Sequence, residues 1–207
     1  MTWTLPNILT AGRLLAAPGV AVMFLYFNRP WADWFALSLF IVAAITDWFD
    51  GYLARAWKQE TRMGAMLDPI ADKAMVVIAI MVITGYSGMN PWLILPAALI
   101  LFREVFVSGL REYLGDKSGL LKVTKLAKWK TTAQMVAIAV LFLGTGLSYL
   151  ESGKPPLVGE GEVPTGRSMA ALATQAGLVL IWLAAVLTFV TGWDYFRKAM
   201  PLLRDAP

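Results

Sequence analysis

The sequence predicts an all-α integral membrane protein, with about six transmembrane helices and a short N-terminal interfacial helix. Three observations predict it. Hydrophobic residues make up 58% of the chain and charged ones only 15%, where soluble domains carry about a quarter charged. Mean hydropathy is +0.61. The charges fall mainly between apolar runs, and the chain has room for about six spans at roughly 20 residues each.

Residues 3–12 place Trp3, Leu5, Ile8, Leu9 and Ala11 among polar neighbours, with Pro6 near the front. That pattern suits a short helix lying in the membrane interface. Apolar segments follow at 13–28, 31–55, 66–85, 91–113, 129–149 and 170–195. An Asn-Arg-Pro turn, a charged link, a Gly-Met-Asn-Pro turn, a lysine-rich link and a Gly/Pro-rich loop separate them. The loop at 150–168 holds Pro155, Pro156, Pro164 and four glycines, and it reads as an external, flexible connection without chemistry. Residues 1–207 form a single domain, with no internal repeat.

Alternating the links between two sides puts 15 of the 18 Lys and Arg on the N-terminal side, leaving Arg29, Lys154 and Arg167 opposite. The positive-inside rule then predicts a multi-pass protein of the inner (cytoplasmic) membrane with both termini in the cytoplasm. No Lys or Arg precedes Arg13 and no small-residue cleavage site is evident, so the first segment is expected to stay in the protein. A net charge of +4 without stacking or groove-reading motifs points to anionic lipid headgroups or phosphorylated substrates, not to nucleic acid.

Cysteine and histidine are both absent. Disulfides, thiolate nucleophiles, Ser-His-Asp triads and Cys/His zinc sites are excluded, so catalysis must rest on carboxylates, Lys, Arg, Tyr or hydroxyls. Any metal must be a hard, oxygen-liking ion such as Mg2+ or Mn2+.

The strongest signal lies at 46–73, where the second and third spans meet. Asp47 and Asp50 are three apart and Asp68 and Asp72 four apart, so each pair shares a helix face. Clustered carboxylates at membrane depth repel one another unless cations neutralise them, and two divalent ions would do so. Two-metal sites suit displacement at phosphorus. Gly51, Ala54 and Gly64 leave room for a bulky group such as a nucleotide, and Arg55 suits a diphosphate. The plainer alternatives are aspartates that pair with arginine or cap helices, and small residues that only pack helices.

The pattern Asp47, Asp50, Gly51, Ala54, Arg55, Gly64, Asp68, Asp72 resembles the signature of the CDP-alcohol phosphotransferases at every fixed position. Eight matches arise by accident with a chance on the order of 10⁻⁸. The resemblance implies two divalent cations on Asp47, Asp50, Asp68 and Asp72, with Asp72 also the proton acceptor. It implies a CDP-lipid site at Gly51, Arg55 and Thr61, joined by Thr10 and Arg13 of the first span. It also implies a homodimer.

The acceptor must be read from the second half. Segments 103–112 and 128–135, with 5–10 and 67–73, resemble the bacterial branch of the family that joins CDP-diacylglycerol to glycerol 3-phosphate. That resemblance implies that Arg103, Arg111 and Lys128 bind the acceptor phosphate. Ala127 stands where that branch often has glycine. Relatives with an inositol phosphate or phosphatidylglycerol as acceptor are the runner-up. An aspartate-lined cation transporter is a further rival, disfavoured because the external halves of the spans carry almost no polar residues.

Overall fold

The computed structural model describes residues 4–56, 61–115, 119, 125–157 and 163–204; the side chains of 47–56, 125–128 and 204 lie outside that description. Among the described residues six helices follow one another: α1 (Leu5–Tyr26), α2 (Trp31–Ala56), α3 (Arg62–Tyr86), α4 (Pro91–Leu114), α5 (Lys125–Ser152) and α6 (Met169–Arg204). Helix starts carry the expected chemistry. Thr61 caps α3, its hydroxyl oxygen accepting from Gly64 N at 3.0 Å. Asn90 caps α4 by accepting from Trp92 N at 3.0 Å, and Pro91 stands in the first turn, where no N–H is needed.

Among the described residues four helices are long and apolar enough to cross a membrane: α1, α4, residues 129–152 of α5 and residues 169–203 of α6. In α2 the apolar stretch is shorter, Trp31–Thr46. Large apolar side chains face outward, among them Leu15, Phe102, Val105 and Val179, the arrangement expected where the solvent is lipid. The inside is built from small residues. Ala17, Ala36, Ala79 and Ala137 are fully buried, around the larger Phe24, Phe40 and Phe142. Between α5 and α6 glycines allow a close approach: a Cβ on Gly144 would lie 2.7 Å from Thr174 Oγ1, and one on Gly177 would lie 2.8 Å from the Leu141 side chain.

α1, α3 and α5 begin at the end of the bundle where α4 and α6 finish. The opposite end is closed by Arg29. Its guanidinium lies 3.9, 4.7 and 5.2 Å from the ring centres of Tyr149, Phe24 and Tyr86 and pairs with Asp33, which has no exposed surface.

Two expectations change. The N-terminal stretch is not a separate interfacial helix; from Leu5 onward it forms the first turns of α1, because Pro6 sits in the first turn, where its missing N–H breaks nothing. The 150–168 loop is partly tied down. α5 runs on to Ser152, Leu157 is buried in the main core, Ser148 donates to Lys154 O at 2.7 Å, and Gln175 donates to Pro164 O.

Candidate active site

α1 and α3 run side by side and meet through polar groups at their N-terminal ends. The Thr61 hydroxyl donates to Asn7 Oδ1 at 2.9 Å. Gly64 lets that contact form: a Cβ there would stand 2.8 Å from the same Asn7 oxygen. Thr61 and Gly64, expected beside the CDP-lipid, therefore also lock α1 to α3. One turn further on, Thr10 donates to Asp68 Oδ1 at 2.7 Å. Arg13 donates to Asp72 Oδ1 at 2.7 Å and lies 3.5 Å from Asp68 Oδ1.

Burial shows what this arrangement does. Arg13 is only 3% exposed, while Asp68 and Asp72 are 47% and 48% exposed. A cation buried inside the bundle is held by two carboxylates that open outward. The guanidinium offsets part of their mutual repulsion and fixes both side chains on one face of α3. Thr10 and Arg13, expected on the donor, bear directly on the aspartates.

The donor set is all oxygen, which suits a hard divalent cation and no softer metal. Among the described residues Asp68 and Asp72 belong to no group of three or more potential ligands. The other two expected ligands, Asp47 and Asp50, lie on α2 with Gly51, Ala54 and Arg55, and the side chains of all five are outside the described residues. Lys128 lies on α5 in the same position.

α3 presents a second face. Lys73, next to Asp72 in sequence, donates to Ser108 Oγ on α4, and Ser108 donates to Glu104 O at 2.6 Å. Glu104 Oε1 accepts from Lys130 of α5 and, at 3.4 Å, from Arg103. Lys130, Glu104 and Arg103 are all mostly buried. Arg103 passes over Gly192 of α6, where a Cβ would lie 2.9 Å from its Cγ. Arg111 is exposed but held over Tyr195, donating from Nε to its hydroxyl at 3.3 Å with the guanidinium 5.4 Å from the ring centre.

The structure places Arg103 and Arg111 against Gly192 and Tyr195 of α6, a contact that the sequence did not suggest, and brings Lys73, Glu104 and Lys130 together beside Arg103. Lys73 and Lys130 read in the sequence as part of the positive-inside bias. Glu104 gave a signal that went unused: a carboxylate inside an apolar run requires a cation.

A carboxylate face on α3, and a cationic cluster on α4 and α5 that α3 joins through Lys73, stand together in an apolar helical bundle and suit a polytopic membrane protein that handles charged ligands. The profile of the CDP-alcohol phosphatidyltransferase family matches residues 3–190, and the chain belongs to that family. It is 70% identical to the CDP-diacylglycerol–glycerol-3-phosphate 3-phosphatidyltransferase of Cereibacter sphaeroides, with 99% of each chain covered. Proteins of the same name from Rickettsia bellii and Escherichia coli are 40% and 37% identical, covering 93% and 99% of this chain. Family membership removes the transporter reading.

Proposed function

We propose that this protein transfers the phosphatidyl group of CDP-diacylglycerol to glycerol 3-phosphate, giving phosphatidylglycerophosphate and CMP. One observation carries the reading: α3 turns Asp68 and Asp72 to one side and, through Lys73, joins the cationic cluster on the other. A donor diphosphate and an acceptor phosphate can therefore be held next to each other. The 70% identical relative bears the name of this activity.

In this reading Asp47, Asp50, Asp68 and Asp72 hold two divalent cations, Mg2+ or Mn2+, which when bound offset the charge of the diphosphate and of the leaving CMP. Arg13 and Thr10 keep the α3 carboxylates in register. Asp72 takes the proton of the acceptor's primary hydroxyl, whose oxygen attacks the lipid-side phosphorus as the bond to CMP breaks. Gly51, Ala54, Arg55, Thr61 and Gly64 border the nucleotide, while Arg103, Arg111 and Lys128 hold the acceptor phosphate. Both termini and this end of the bundle face the cytoplasm, where the Lys and Arg residues concentrate.

The test is CMP release by the purified protein, supplied with CDP-diacylglycerol and a panel of alcohols. Turnover is expected with glycerol 3-phosphate, is expected to fail with unphosphorylated glycerol, and should stop on chelation. Turnover with an inositol phosphate or phosphatidylglycerol but none with glycerol 3-phosphate would overturn the acceptor; full turnover in chelator would overturn the metals.

A further inference from the structure

The cluster where α3, α4 and α5 meet is not balanced in charge. Among the described residues Lys73, Arg103 and Lys130 bring three positive charges, and Glu104 is the carboxylate that pairs with Arg103 and Lys130, leaving a surplus of two. Lys130 is 5% exposed and Arg103 17%, so neither head reaches freely into water. Among the described residues Arg103 Nε is buried with no hydrogen-bond partner. Unmet donors and surplus positive charge in a dry site call for an anion.

Glu104 is an odd presence in such a site. If holding an anion were the whole purpose, a carboxylate would only repel it. Its geometry gives it another task. A single oxygen, Oε1, takes both Lys130 and Arg103, so two cations that would swing apart share one point. Its own backbone is fixed by Ser108, which also brings in Lys73 from α3. Gly192 of α6 leaves the groove in which the Arg103 stem runs.

We propose that Glu104 is a positioning residue for the acceptor: it gathers Lys130 and Arg103 so that their remaining N–H donors converge on one phosphate. This rests on the glycerol 3-phosphate reading above. The convergence outweighs the local repulsion because two preorganised cations meet the dianion without first having to be brought together.

The test uses the full-length protein in detergent, with KM measured separately for glycerol 3-phosphate and for CDP-diacylglycerol. Glu104→Gln is expected to raise the acceptor KM about tenfold or more and to leave the donor KM within about twofold. Glu104→Asp keeps the charge and should bring the acceptor KM back to within about threefold of the parent. In a Lys130→Met background, where the cation to be positioned is gone, Glu104→Gln should add less than about threefold. A Glu104 that merely balances charge predicts the reverse, an unchanged or lower acceptor KM in Glu104→Gln, and that result overturns the proposal. Equal loss for donor and acceptor overturns it as well. If Glu104→Gln does not fold, Glu104→Asp and the Glu104→Gln/Lys130→Met double variant decide: a donor KM that moves in Glu104→Asp, or an acceptor KM in the double variant more than about threefold above that of Lys130→Met, counts against positioning. Failure of the parent to use glycerol 3-phosphate at all would sink the acceptor reading instead, a distinct outcome.

Discussion

Both ends of the bundle set an arginine against aspartate, and the two ends are finished differently. At the Arg29 end the pair is sealed. Asp33 has no exposed surface, Arg29 is 12% exposed, and three aromatic rings surround the guanidinium. At the other end the arginine is the buried partner and the acids open outward, with Arg13 at 3% and the two aspartates near one half. The same charges serve as a closed fastener in one place and as a half-open receptor in the other. What separates them is which partner the apolar surroundings enclose: an enclosed carboxylate is spent on its arginine, whereas an outward one keeps surface for a further ligand.

The largest expected effect separates the ends most sharply. Asp72→Asn should lower turnover by about 10²–10⁴-fold, with a smaller fall in the thermal midpoint in detergent than Asp33→Asn gives, because Asp68 still faces the buried Arg13 guanidinium. Near-normal turnover would move the base elsewhere. Asp33→Asn should do the opposite. Removing one partner of a buried pair costs about 3–5 kcal/mol, so the melting temperature should fall while CMP release per folded molecule stays close to that of the parent. If Asp33→Asn instead cut turnover without loss of stability, the closed end would be part of the chemistry and the comparison would break.

Smaller effects sharpen the open end. Arg103→Gln should raise the glycerol 3-phosphate KM at the upper part of the range of about ten- to 150-fold set by a charge-assisted contact of roughly 1.5–3 kcal/mol. Arg111→Gln, on an exposed side chain, should fall at the lower part. Donor KM should hold in both. Smallest of all, Gly192→Ala places a methyl against the Arg103 stem and should cost about 1–3 kcal/mol of packing, read as a modest rise in acceptor KM and a slightly lower melting temperature. No change in either would show that Arg103 can take another path.

Much of this was legible in the sequence, for physical reasons that also explain what was not. The aspartates stood out because a charge in an apolar run is costly, and their spacing is local to one helix. Arg13 was harder. By resemblance it was expected on the donor lipid, at the start of the first span, but its charge is met by Asp72, 59 residues away, and no local pattern carries that information. The same is true of Lys130, which becomes distinctive only when α5 brings it to Glu104. Leu157 stands in a short Leu-Val pair inside a Pro- and Gly-rich run, too short to signal that it ends in the core.

The groove that Gly192 leaves for Arg103 bears on the order in which the protein is made. Contacts between α1 and α3 need only the first 86 residues, so the carboxylate face can assemble while the rest of the chain is still on the ribosome. Arg103 and Arg111 must wait for Gly192 and Tyr195, which belong to the last helix to be synthesised. A chain released before α6 would carry its acids without the helix that seats these two arginines.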